Sequence, residues 1–275
     1  MPFRARRLKY MHLIGYESYG VRFAVASNRR RTLERAARVA RTAMVGQLHE
    51  IDPALAHHTF AVIETTADLI FELDGEYLSS NGYRRGFYHY FGSRLKMLVA
   101  EYAKGVVFVH AGVIGWKGKV ILFPADSHQG KSTLTAALIS RGAVYFSDDY
   151  AVVDSDGLVR PFPRRLSIRA PDGSGEWTDI PAKNFGGKVA DKPLPIGAAI
   201  ITKYKRNGKW KPKTLTPGTG MLEMVPFVIP LNANPAISLS LLKKALTPAI
   251  IAKSLRPDTS QCADAILDYI DKHVY

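Results

Sequence analysis

The chain of 275 residues contains a single cysteine, Cys262. One thiol excludes an internal disulfide and gives little support to a zinc site or a cysteine nucleophile, which fits the reducing cytoplasm. No apolar run reaches the roughly 18–20 residues that a bilayer-spanning helix needs. The apolar stretch at the N-terminus is too short and too polar for a signal peptide. We therefore expect a cytoplasmic protein without a membrane partner.

Other absences narrow the function. The sequence has no internal repeat, no low-complexity tract, and no helix-turn-helix, zinc-finger or RNA-binding aromatic signature, so we do not expect sequence-specific nucleic-acid binding. The net charge is nevertheless +14, with basic clusters at residues 29–31 and 203–213. Such clusters favour polyanions, namely nucleotides, an acidic peptide or nonspecifically bound nucleic acid, unless they are only solvated basic faces.

A phosphate-binding loop is predicted between an apolar strand that begins at Lys119 and a helix that Gly142 ends. In such a loop the backbone N–H groups wrap phosphates, the lysine reaches the terminal phosphates and the Ser hydroxyl holds Mg²⁺. Ala125 replaces the first glycine of the motif, which costs free energy if the loop needs a positive φ there. The candidate nucleotide-binding residues are Ala125, Asp126, Ser127, His128, Gln129, Gly130, Lys131, Ser132 and Thr133.

An acidic pair, Asp148-Asp149, follows the next predicted strand, residues 143–146. Ligands of parallel sheets gather at the carboxyl ends of strands, so we expect both carboxylates near the loop. Phosphoryl transfer uses one carboxylate on the metal and often a second for the acceptor hydroxyl. A solvated turn is the alternative for an isolated Asp-Asp pair, but the loop and helix before it favour a site.

Taken together, residues 106–169 resemble the HPr kinase/phosphorylase superfamily, which shares its nucleotide core with phosphoenolpyruvate carboxykinase. The resemblance lies in the order His110-Ala111-Gly112, strand, phosphate loop, helix and Asp148-Asp149, and in the segment Arg160–Arg169. It extends to related kinases that act on precursors of ribosomally made peptides. The C-terminal signature with which HPr kinases recognise HPr is not legible here, so the resemblance does not extend to HPr as the substrate.

The resemblance implies roles for individual residues. Lys131 would bind the β- and γ-phosphates, and Ser132 together with Asp148 would hold Mg²⁺. Asp149 is our choice for the residue that orients or deprotonates the acceptor hydroxyl, although the two aspartates could exchange roles. His110 matches a family histidine near the transferred phosphate, with a core histidine as the alternative. Arg164 is a candidate for stabilising charge in the transition state, or else a solvated turn arginine.

The resemblance implies an α/β chain, α+β overall, with a phosphoenolpyruvate carboxykinase-like kinase core on a mixed sheet. We expect a small N-terminal α+β subdomain over residues 1–100 and the kinase domain over residues 101–275, ending in a helical tail. Residues 171–195 are predicted to be a long loop. Asn207-Gly208 predicts a hairpin whose second strand carries Trp210. Thr216-Pro217 and Thr247-Pro248 predict two helix starts.

The function that these residues favour is an ATP- and Mg²⁺-dependent kinase. It would transfer the γ-phosphate to a hydroxyl, with serine as the first choice, of a peptide or protein that could be acidic. Relatives of this core often assemble, so a homo-oligomer is compatible with it. Three alternatives stay open: a small-molecule kinase of the same fold, a non-catalytic nucleotide- or peptide-binding module with a degraded loop, and a basic nucleic-acid-binding protein.

Overall fold

The computed structural model describes residues 12–81, 84–126, 129–169, 177–231 and 233–275. The chain has a mixed α/β architecture in two compact units, which meet in sequence between Lys104 and Gly105. Among the described residues, no helix combines the length and the hydrophobicity that crossing a membrane would require.

Among its described residues, the N-terminal unit contains a six-stranded sheet and two α-helices. Its elements are β1 His12–Ser18, β2 Val21–Ser27, α1 Arg30–Met44, β3 His49–Ile51, β4 His58–Glu64, β5 Leu69–Leu73, β6 Glu76–Asn81 and α2 Arg84–Tyr102. The strand order is β3-β1-β2-β4-β5-β6, and β2 and β4 are parallel. The crossover between these two parallel strands contains α1, whose apolar stripe of Leu33, Ala36, Ala37 and Ala40 is buried.

The described residues of the C-terminal unit form four α-helices and the remaining strands. Its elements are β7 Val106–Trp116, β8 Lys119–Pro124, α3 Lys131–Ile139, β9 Val144–Ser147, β10 Tyr150–Asp154, β11 Leu158–Arg160, β12 Leu166–Arg169, β13 Trp177–Ile180, β14 Leu194–Tyr204, β15 Lys213–Thr214, α4 Pro217–Met224, α5 Pro235–Leu246, β16 Ile250–Arg256 and α6 Thr259–Val274.

Eight of these strands form one mixed sheet with the order β11-β10-β7-β8-β14-β16-β15, and β9 pairs with β7. Strands β8, β14 and β16 are mutually parallel, whereas β7 is antiparallel to both β8 and β9. Consequently β8, β9, β14 and β16 all run in one direction, and their carboxyl ends lie along the same edge. The loop after β8 and the aspartates after β9 therefore meet there, as does the end of β16.

Helices pack on both faces of this sheet. On one face, Leu134 and Leu138 of α3 and Ile266 of α6 join a buried cluster with Ile121 and Ile200 of the strands. On the other face, residues of α5 and α4 pack against a second buried cluster. The predicted final helix is confirmed, with Ala263, Ile266, Leu267 and Ile270 buried. The two layers hold the strand ends, and so the loops that follow them, in fixed positions.

Two predictions for the last third of the chain are wrong. Asn207-Gly208 does form a turn, but Trp210 is not in a returning strand. The reason is that β14 is already paired on both sides, with β8 and β16, so β15 pairs with β16 instead.

The predicted Thr216 helix cap is confirmed, since its side chain accepts a hydrogen bond from Thr219 N.

Thr247-Pro248 does not start a helix. The Thr247 hydroxyl donates to Lys243 O at 2.7 Å, which closes the last turn of α5, and the apolar segment that follows becomes β16. The C-terminal tail is therefore not purely helical, because a parallel strand lies between α5 and α6. The long loop predicted over residues 171–195 is also interrupted by β13, which pairs with β12; residues 171–176 lie outside the described part.

Candidate functional site

The loop between β8 and α3 ends in a glycine with a positive φ. Gly130 precedes α3 with φ of +73°, and a Cβ there would lie 2.6 Å from the Arg256 guanidinium, so glycine is needed for both reasons. Ala125 is buried and does not adopt a positive φ. The missing glycine of the motif therefore imposes no strain. Ser127 and His128 lie outside the described residues.

Lys131 folds back over the loop. Its Nζ donates to Ala125 O at 2.7 Å and to Asp126 O at 2.8 Å. Burial lowers the pKa of Lys131, and the charges of Asp149, Asp126 and Asp148 oppose that shift. The ammonium thus lies at the opening of the loop and is bonded to neutral carbonyls, which an anion could replace.

Ser132 and Asp148 are neighbours at the same opening. Ser132 Oγ donates to Asp148 Oδ2 at 3.0 Å, and Ser167 N donates to the same oxygen at 3.2 Å. The Tyr145 hydroxyl lies 3.3 Å from Asp148 Oδ1 and 2.7 Å from Arg164 O. Burial, and next the charge of Asp149, raises the pKa of Asp148 to about 6. A cation bound at this carboxylate would counter both effects.

Asp149 faces a different set of partners. Arg164 Nη1 donates to Asp149 Oδ2 at 2.5 Å, and His110 Nδ1 lies 3.0 Å from Asp149 O and 3.8 Å from Asp149 Oδ1. Arg164 reaches this position because Phe162 N donates to Phe146 O, which lays the segment after β11 against β9. Burial alone would lower the pKa of Arg164, but the charges of Asp149 and Asp148 outweigh it and the pKa is raised.

The structure therefore brings together the predicted residues Lys131, Ser132, Asp148, Asp149, Arg164 and His110 at one sheet edge. Gln129 and Gly130 lie beside them in the loop, while Thr133, in the first turn of α3, and Asp126 are exposed. Sequence reasoning missed Tyr145, Ser167 and Arg256. Tyr145 lies in β9, only three residues before Asp148. Ser167 and Arg256 reach the site from β12 and β16, which are more distant in sequence, and Arg256 ends a segment that was predicted to be helical.

The donor set fits a hydrated magnesium ion with phosphate ligands. Mg²⁺ is usually bound through one or two protein oxygens, with water and phosphate completing its shell. Ser132 Oγ and Asp148 Oδ2 supply two such oxygens, 3.0 Å apart. No group of three His, Cys, Asp or Glu side chains that could hold a metal occurs among the described residues. The site thus suits a metal that arrives with a nucleotide.

The raised pKa of Asp148 predicts a pH dependence. Below about pH 6 the protonated carboxyl, favoured by burial, loses its affinity for cations, so Mg²⁺-dependent ATP binding should weaken by up to ~10-fold per pH unit. Titrating ATP with Mg²⁺ between pH 5 and 8 measures this change. Asp148→Asn supplies the control, because its residual pH dependence belongs to ATP itself. Identical pH profiles for the two proteins would contradict the prediction.

Comparisons with known proteins found similarity among solved structures. No family model matches the chain, and no curated protein matches it. Among solved structures, the structure of the Hpr(Ser) kinase/phosphatase from Coxiella burnetii is similar at a TM-score of 0.35 and 16% sequence identity. The match covers 60% of this chain and 97% of that chain. Because this similarity is too distant to support a function, the function has to be inferred from the residues of the site.

Proposed function

We propose that the chain is an ATP- and Mg²⁺-dependent kinase that transfers the γ-phosphate to a hydroxyl, preferably of serine, in a peptide or protein. The observation that carries the proposal is the 3.0 Å hydrogen bond between Ser132 and Asp148, beside Lys131 and the Asp149–Arg164 pair, at a glycine-preceded helix start. In phosphoryl transfer, catalysis is almost entirely positioning and charge stabilisation, and these groups supply both.

The contacts support separate roles for the two aspartates. Asp148 shares a hydrogen bond with the loop hydroxyl of Ser132, so the two would hold Mg²⁺, which would neutralise phosphate charge. Asp149 has no such contact with Ser132 among those described and instead pairs with Arg164. It would accept a hydrogen bond from the acceptor hydroxyl and take its proton. Arg164 and Lys131 would stabilise the negative charge that spreads over the transferring group.

His110 would act through Asp149. Its Nδ1 is within hydrogen-bond distance of the Asp149 carbonyl and near the carboxylate, and the backbone N–H of Ala111 donates to the same carbonyl at 3.2 Å. Ser147 Oγ accepts from the backbone N–H of Asp149 at 3.2 Å. These bonds would keep the carboxylate aimed at the acceptor while the nucleotide enters and leaves.

The test of the proposal is calorimetric titration of the wild-type protein with ATP, with and without Mg²⁺, followed by a peptide screen for a phosphate mass shift. We expect binding that depends on Mg²⁺ and phosphorylation of a Ser-containing peptide. Absence of ATP binding would sink the kinase assignment and favour a docking module. Phosphorylation of small hydroxyl compounds but of no peptide would favour the small-molecule alternative.

The acceptor is proposed to be acidic because a lysine-lined cavity lies close to the phosphate loop. The cavity, of about 430 Å³, is lined by Lys205, Asn207, Gly208, Lys209, Lys211 and Leu255. It adjoins Tyr204, whose backbone N–H donates to Gln129 Oε1 at 3.2 Å. Exposed lysines beside an apolar wall are suited to an acidic peptide segment that also carries an apolar side chain.

Reversing two of these charges should weaken acceptor binding alone. For an acidic peptide found in the screen, Lys205→Glu combined with Lys209→Glu should raise KM about tenfold with little change in kcat, because exposed ion pairs contribute roughly 0.2–1 kcal/mol each and reversal adds repulsion. The KM for ATP is the internal control. An unchanged peptide KM, or an equal rise for a neutral peptide, would remove the lysine cavity from substrate recognition.

A further inference from the structure

Arg256, the last residue of β16, is bonded to the end of the phosphate loop. Its side chain is only 2% exposed. Nη2 donates to Gln129 O at 2.6 Å and to Gly130 O at 2.9 Å, and Nη1 donates to Thr259 Oγ1 at 3.2 Å. The guanidinium thus joins two loop carbonyls to the strand end and to the first turn of α6.

The partners of Arg256 are unusual for a buried cation. Its described hydrogen bonds all go to neutral oxygens, and Nε has no partner among the described residues. Two other arginines of this unit, Arg160 and Arg164, each pair with an aspartate. Burial lowers the pKa of Arg256, which reflects the cost of burying its charge, and the negative charge of Asp258 opposes that shift only in part. Such a cost is offset when an anion binds nearby.

The two carbonyl contacts help to fix where the loop N–H groups point, together with the helix hydrogen bond from Leu134 N to Gly130 O at 3.0 Å. In a planar trans peptide, the C=O and N–H groups point in opposite directions. Because the carbonyls of Gln129 and Gly130 face Arg256, the N–H groups of Gly130 and Lys131 face away from it. These are N–H groups of the kind that wrap phosphates in such a loop. A Cβ at Gly130 would lie 2.6 Å from Nη2, which shows how closely the guanidinium approaches.

A second contact fixes the same segment from β14. The side chain of Gln129 accepts from the Tyr204 backbone N–H, and the Arg256 guanidinium lies 5.6 Å from the centre of the Tyr204 ring. The ends of two parallel strands therefore hold the last loop residues before α3. Gln129 and Gly130 are thus held in place before an anion binds, which lowers the entropy that their ordering would cost on binding.

We infer that Arg256 is a positioning residue for phosphate binding, which orients the N–H groups of Gly130 and Lys131 from behind the loop and adds a fixed positive charge there. The inference rests on the proposed function, because it assumes that the loop binds the phosphates of a nucleotide. Arg256 contacts the loop backbone, and its effect on the nucleotide is exerted through that backbone and through its charge.

The experiment compares Arg256→Met with wild type, using ADP and pyrophosphate as probes in calorimetric titrations. Met keeps the apolar stem and removes the guanidinium. We expect the Kd for both probes to rise on the order of 10–100-fold, as expected for the loss of hydrogen bonds to a charged group. Without ligand, the urea midpoint should not fall, because the burial cost of the charge is removed. Arg160→Met, which breaks the Asp154 pair, is the matched control and should leave both Kd values unchanged.

The outcomes separate this inference from the kinase assignment. If wild type binds neither probe, the proposed function fails. If wild type binds and folded Arg256→Met binds within twofold, only the role of Arg256 is overturned. Arg256→Lys, which keeps the charge but not both carbonyl bonds, should give an intermediate Kd and decides the matter if the Met variant does not fold. If neither variant folds, Arg256 is a structural residue and the inference is wrong.

Discussion

Replacing Asp149 by asparagine should abolish phosphoryl transfer and spare ATP binding. Asparagine keeps the shape and an acceptor oxygen but cannot take a proton, so we expect turnover to fall about 10²–10⁴-fold. The Ser132–Asp148 contact does not involve Asp149, so Mg²⁺-dependent ATP affinity should survive. Turnover of the responsive peptide and titration with ATP measure the two quantities.

Asp148→Asn is the matched variant, since it changes the adjacent carboxylate in the same way. It should remove the Mg²⁺ dependence of ATP binding, because Asp148 Oδ2 is the carboxylate oxygen beside the loop hydroxyl. If the outcomes are reversed, with binding lost in Asp149→Asn and kept in Asp148→Asn, the roles of the two aspartates must be exchanged. Near-normal turnover in Asp149→Asn would remove it from the chemistry altogether.

The core of the site could be predicted from the sequence because its parts are close together in the chain. The strand, the loop and α3 span residues 119–139, and the aspartates follow one strand later. Local patterns determine such a unit: β-branched residues before the loop, a glycine where φ is positive, and apolar spacing in the helix. The direction of β9 then brings Asp148 and Asp149 to the loop edge.

The missed residues show where local patterns are insufficient. Arg256 meets Gln129 only because β16 lies parallel to β14, a pairing between segments about 50 residues apart. The turn at Asn207-Gly208 was predicted correctly, but the hairpin was not, since occupancy of both edges of β14 is a property of the whole sheet. Likewise, a threonine such as Thr247 can either cap a following helix or close the preceding one. Here it closes α5, because the apolar segment after it packs as strand β16.

Replacing Lys131 by alanine should lower turnover about as strongly as replacing Asp149. Its ammonium lies at the loop opening, bonded only to the carbonyls of Ala125 and Asp126 among the contacts described, and would transfer to the phosphates when a nucleotide binds. Removing one preorganised charged donor from a transition state costs on the order of 10²–10³ in turnover. We expect that loss in kcat for the responsive peptide, together with weaker ATP binding.

A control for the general effect of removing a lysine is Lys119→Ala. Lys119 begins β8, at the other end of the strand from the loop, and its Nζ also donates to a carbonyl, Val274 O at 3.2 Å. Both variants lose a lysine bonded to neutral oxygen, but only Lys131 lies where phosphates would bind. A similar small loss in both would mean that Lys131 stabilises the loop without taking part in transfer. A loss of turnover in Lys131→Ala but not in Lys119→Ala is the result that a working phosphate loop requires. The cause is then the charge at the loop opening and not the packing of a lysine side chain.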